Sequence, residues 1–139
     1  MGTVSDPDVT PAPFKKQAIH IKGVSEGKAI ELLAKTDILT AGVQIVSAKG
    51  GETNLHAHAG TDQFYVVLQG QATFYRSVDE VAARLDKNDT LLIPRATPYW
   101  FESSGSEDLV ILRLGAKAAG VEDKRTNYTE RKREGTVVA

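Results

Sequence analysis

The sequence predicts an all-β fold, with antiparallel strands closed as a barrel or sandwich, and three observations lead there. Short apolar runs rich in β-branched and aromatic residues recur at close spacing from about residue 18 to residue 115. Turn-forming clusters separate them: Lys49-Gly50-Gly51, Gln69-Gly70, Lys87-Asn88-Asp89 and Ser104-Gly105-Ser106, each offering residues that tolerate positive φ. No intervening segment has the length of a helix that could carry a parallel crossover, so successive strands should run antiparallel.

The elements follow in order. Residues 1–17 carry Pro7, Pro11 and Pro13 among small polar residues, the composition of an extended arm. Strands are expected at 19–21, 28–34, 41–48, 53–58, 63–68, 72–76, 80–85, 90–93, 99–103 and 109–114. The stretch 28–37 could instead open a short helix. From Ala116 onward, six basic and four acidic residues with few apolar ones read as a solvated, loosely docked tail rather than a nucleic-acid arm. The chain therefore divides into an arm (1–17), a barrel (18–115) and a charged tail (116–139).

Composition narrows the function classes. A chain of 139 residues with 41% hydrophobic and 25% charged residues can bury a core as one globular domain. Seventeen basic residues against eighteen acidic ones leave no global field for nucleic acid or an anionic membrane. The absence of cysteine removes disulfides, thiolate ligands and a thiol nucleophile. No apolar run of signal-peptide or membrane-spanning length occurs, so a cytoplasmic location is expected. The triplet Asn127-Tyr128-Thr129 then reads as chance, and no Gly-rich phosphate loop or nucleophile elbow is present.

Chemistry concentrates in GGETNLHAHAGTDQFYVVLQG, residues 50–70. His56 and His58 lie two apart on an expected strand, so both imidazoles leave one face and make half of a metal site. A turn at Ala59-Gly60-Thr61-Asp62 should send the next strand back beside the first, bringing the Gln63 amide oxygen toward them. A second stretch, NDTLLIPRATPYWFES, places Tyr99 after Pro98 at the head of a strand, pointing into a barrel from an opposing hairpin. The alternatives are a satisfied pair of core histidines and a tyrosine bonded to backbone. His20 is alone, and Asp62, Tyr65, Arg76 and Arg95 are polar residues near the expected mouth.

These residues resemble the two motifs of the cupin superfamily, specifically its small single-domain members. Gly50, His56, His58, Gln63 and Gly70 keep every spacing of the first motif. Asn88, Pro94, Ala96, Tyr99 and Ser103 keep the spacing of the second, with Pro94 as its identical residue. The resemblance implies an antiparallel double-stranded β-helix, or jelly-roll barrel, with a divalent ion (Zn, Ni or Fe) on His56, His58 and Gln63. It sets Tyr99 beside the ion, as a weak ligand or catalytic proton donor. A glutamine stands where the family carries glutamate, and Tyr99 where it carries histidine, so this set lacks the usual negative charge. The implied activity is that of a small-molecule enzyme: an isomerase, lyase or decarboxylase that polarises a carbonyl or stabilises an enolate on a small anionic substrate. A cupin dioxygenase and a non-catalytic ligand-binding barrel are the alternatives. The resemblance also implies a homodimer, while the balanced charge leaves no nucleic-acid or membrane partner expected.

Overall fold

The computed structural model describes residues 13–131 and 136–138, and their regular structure is all strand. In chain order the strands are β1 (Lys28–Lys35), β2 (Leu39–Val46), β3 (His56–His58), β4 (Thr61–Gln69), β5 (Ala72–Tyr75) and β6 (Val81–Leu85). They continue with β7 (Thr90–Ile93), β8 (Trp100–Ser103), β9 (Leu109–Lys117), β10 (Arg125–Asn127) and β11 (Thr136–Val138). One sheet runs β11-β1-β2-β9-β4-β7, facing a three-stranded sheet β6-β5-β8 and a two-stranded ribbon β10-β3. All pairings are antiparallel except β1 with β11.

Alternation builds the core. Along β4, Thr61, Gln63, Tyr65 and Val67 are buried while the residues between them are half-buried, the period of a strand with one face inward. Tyr65, Phe74 and Phe101 meet with ring centroids 4.8 to 5.4 Å apart, and Val46, Leu109 and Ile111 complete the cluster. Gly70 holds the turn into β5 at φ 81°, where a Cβ would lie 2.8 Å from the Asp108 carbonyl oxygen. Only glycine fits there.

Both glycine positions of the second motif adopt positive φ with other residues, 73° at Asn88 and 66° at Ala96. Asparagine tolerates this region, whereas alanine is strained in it. The strain is held in place because the Ala96 N–H donates to the His58 carbonyl at 2.7 Å, tying the loop to the histidine strand. Ala96→Gly is therefore expected to raise stability by about 1 kcal/mol, read as a higher denaturation midpoint.

Four expectations are corrected. The stretch 19–21 is not a strand, because the His20 N–H spends its bond on the Glu31 carboxylate, at 3.0 and 3.2 Å, instead of a ladder. The stretch 28–37 forms no helix, since Ala29 and Glu31 are buried with the period of a strand. Strand β4 does not return beside β3; it pairs with β7 and β9. The described residues after Ala116 are docked by strand pairing rather than loosely, because β9 runs on to Lys117, β10 pairs with β3 and β11 pairs with β1. Their hydrophilic sequence suffices because they dock through main-chain hydrogen bonds to otherwise open strand edges. Gly60 permits the close approach, since a Cβ there would lie 2.9 Å from the Asp123 Cα. Most of the arm expected over 1–17 lies outside the described residues.

Candidate anion site in the barrel

Strand β3 presents His56 and His58 to the barrel interior, their ring centroids 5.0 Å apart and edge-on. His56 Nδ1 lies 2.6 Å from the Asn54 carbonyl oxygen, so in the neutral ring Nδ1 donates and Nε2 is left for other partners. Tyr99 does not oppose this strand but adjoins it: His56 and Tyr99 exchange backbone hydrogen bonds of 3.1 and 2.9 Å. Their rings stand 4.5 Å apart, and the Tyr99 hydroxyl meets the Tyr65 hydroxyl at 2.8 Å. These groups line a cavity of about 90 Å³, together with Gln44 and the cations Lys28, Arg113, Arg125 and Arg131. Among the described residues, none of its lining side chains is acidic.

The surroundings set the protonation states. Burial, reinforced by Arg125 and Arg113, lowers His56 to about 3 against the opposing hydrogen bond from Asn54. Burial and then Arg113 lower His58 to about 4, so both imidazoles are neutral near pH 7. Burial pushes the Tyr99 and Tyr65 phenols up, keeping both protonated. Arg125 is lowered to about 10, by burial first and then by Arg131. Its guanidinium donates to the amide oxygens of Asn54, at 2.7 Å, and Asn127, at 2.9 Å, neither of which carries a compensating charge. Half-buried positive charge without a facing carboxylate is costly in an empty site and favourable once an anion enters.

Of the expected metal donors, His56, His58 and Tyr99 line one cavity, while the Gln63 amide oxygen is engaged by Arg113. Gln63 is buried, its Oε1 accepts from Arg113 Nε, and it does not line the cavity. A divalent ion would meet two neutral imidazoles, a protonated phenol and at least two guanidiniums acting on the same rings. Among the described residues no three His, Cys, Asp or Glu side chains cluster as ligands. Neutral imidazoles are ordinary ligands, but with no carboxylate in the lining and two guanidiniums beside them the set lacks the negative charge that retains a divalent cation.

Other expected polar residues do structural work. Asp62 bonds the Arg95 N–H at 2.8 Å and its guanidinium at 3.4 Å on the surface, and Arg76 pairs with Glu80 at 3.7 Å. The sequence reading missed Asn54, Arg113 and Arg125. A parity signal existed for Arg113, an arginine at an inward position of the run Leu109, Ile111, Arg113. Asn54 shares the parity of His56. Arg125 carried no local signal.

Comparison with known proteins places this geometry. The sequence model of the family described as Cupin domain matches residues 43–115, more than half of the chain. An uncharacterized protein of Methanocaldococcus jannaschii, MJ1618, is 33% identical over 63 residues, spanning 45% of this chain and 49% of the relative. The chain thus spans about half the length of the curated relative it matches. A Klebsiella pneumoniae conserved protein with a double-stranded β-helix domain superposes with a TM-score of 0.65 at 14% identity, over 79% of this chain and 91% of that one. An RmlC-like cupin protein from Desulfovibrio desulfuricans gives 0.63 at 19% identity, over 74% and 96%. KdgF from Halomonas sp. gives 0.56 at 23%, over 67% and 82%. These likenesses show the double-stranded β-helix fold.

Proposed function

This chain belongs to the cupin domain family, and on that premise we propose that its barrel binds a small organic anion without a resident metal. The single observation that supports the reading is the pair of guanidiniums in the cavity: Arg113 and Arg125 donate to neutral amide oxygens, and among the described residues none of the lining side chains is acidic. Cupins often bind metals; in this reading the guanidiniums of Arg113 and Arg125, which line the cavity, supply the positive charge instead. They orient a carboxylate and stabilise negative charge developing next to it.

The same residues can serve isomerase, lyase or decarboxylase chemistry. A bound anion cancels part of the arginine field that depresses the imidazoles, so His58 becomes a better base when substrate is present. The Tyr99–Tyr65 hydroxyl pair can pass a proton along its 2.8 Å contact. A metal-assisted reading keeps one supporting feature, the uncommitted His56 Nε2. It requires Arg113 to release Gln63.

One experiment separates them. Protein purified without added metal is expected to hold no stoichiometric divalent ion by elemental analysis. Small carboxylates at low salt are expected to raise its melting temperature, and Arg125→Gln to abolish that rise. At a hundredfold excess over Kd the stabilisation amounts to about 2.7 kcal/mol. One equivalent of metal in the wild type, lost in His56→Ala, would instead establish the metal reading.

A further inference from the structure

We infer that the anion is a short 2-hydroxycarboxylic acid, with its carboxylate on Arg113 and Arg125 and its hydroxyl donated to Gln44 Oε1. This rests on the reading that the barrel binds an anion, and adds what else the ligand must carry.

Gln44 is buried, with 8% of its surface exposed, and its Oε1 has no hydrogen-bond partner among the described residues. A buried acceptor left open destabilises the fold unless something donates to it. Gln44 lines the same cavity as Arg113 and Arg125. On neighbouring strands Gln44 stands opposite Ile111 and Gly42 opposite Arg113, so amide and guanidinium leave one face of the sheet one pair apart. Gly42 has no side chain to come between them.

The ligand's chemistry follows from what each group needs. The arginines need negative charge, and a carboxylate has no proton to give to Gln44. The donor must therefore be a second group on the same small molecule. An ammonium would add charge to a cavity already lined by the guanidiniums of Arg113 and Arg125. A keto group offers no donor at all. A hydroxyl supplies the proton without the charge. Size keeps the molecule short, since the cavity holds about 90 Å³.

Glycolate, propionate and glycine test this as near-isosteres that differ at one group. Titration calorimetry on the wild-type protein should find glycolate bound about ten times more tightly than propionate, the worth of one hydrogen bond near 1.4 kcal/mol, and glycine bound more weakly than both. Methoxyacetate, which keeps the oxygen but lacks the proton, should also bind more weakly than glycolate, a comparison that needs no variant. In Gln44→Met the preference for glycolate over propionate should vanish. Equal binding of glycolate and propionate to the wild type overturns the hydroxyl assignment and leaves the anion reading standing. A preference that survives in Gln44→Met overturns Gln44 as the acceptor. Binding of none of these acids overturns both.

Discussion

Replacing Asn54 by alanine is expected to cost about 3 kcal/mol of folding stability and to remove anion binding at the same time. The Asn54 amide donates to Asn127 Oδ1 and to the Thr129 carbonyl, each at 3.0 Å, and its own oxygen accepts from Arg125 at 2.7 Å. It is buried, so alanine would leave those partners unsatisfied away from water. The knot also includes Leu55, whose N–H donates to Thr129 Oγ1 at 2.9 Å and whose carbonyl accepts from the Tyr128 N–H at 2.8 Å. Losing its centre should release β10 from β3, seen as faster amide exchange at residues 125–129 and a melting temperature lower by roughly 10 °C. Asn54→Asp weights the two effects differently. Its carboxylate would keep the partner of Arg125 and neutralise the anion site from within, while the loss of the amide donors to Asn127 Oδ1 and the Thr129 carbonyl still loosens the strand. Tight binding of small acids by Asn54→Asp would show that Arg125 is not part of the site.

Acidification from pH 7 to 5 is expected to remove about 2 kcal/mol of stability through His56 alone. His56 is held near 3 in the folded chain against an ordinary value of 6.5, chiefly by burial. Below 6.5 the unfolded chain takes up a proton that the folded chain refuses. The native state is therefore fully favoured above that value and loses ground as the pH falls toward 3. His58, lowered to about 4, acts in the same direction. Ordinary carboxylates remain ionised above about pH 5, so this window reports the histidines ahead of general acid unfolding. Scanning calorimetry should show a fall of roughly 8 °C across it, flattened in His56→Gln. An unchanged melting temperature between pH 7 and 5 would mean that His56 is not held neutral by burial.

How legible each part was depends on how far apart its interacting residues lie in the chain. The strand at Leu109–Lys117 could be read from six residues of β-branched and aliphatic pattern, because side-chain alternation is a property of neighbouring residues. The shared face of His56 and His58 follows from the same period. Tyr99 was picked out by its place after Pro98, and it does reach the histidines. Its position as their strand neighbour was hidden because it depends on a pairing 43 residues away, between His56 and Tyr99.

The sequence by itself determined the all-β class, most of the strands, the paired imidazoles and the family's two motif spacings. All of these are local regularities of polarity, branching and turn residues. Tertiary structure alone decided the sign of the site. Arg113 reaches Gln63 across 50 positions and Arg125 reaches Asn54 across 71. Neither contact leaves a mark in the composition of either segment. A polar tail carries no apolar pattern to announce that it will dock, because main-chain hydrogen bonding to an open strand edge asks for no particular side chain. Once docked, that tail carries Arg125 into the barrel, and a histidine pair spaced for a cation comes to share its cavity with guanidiniums.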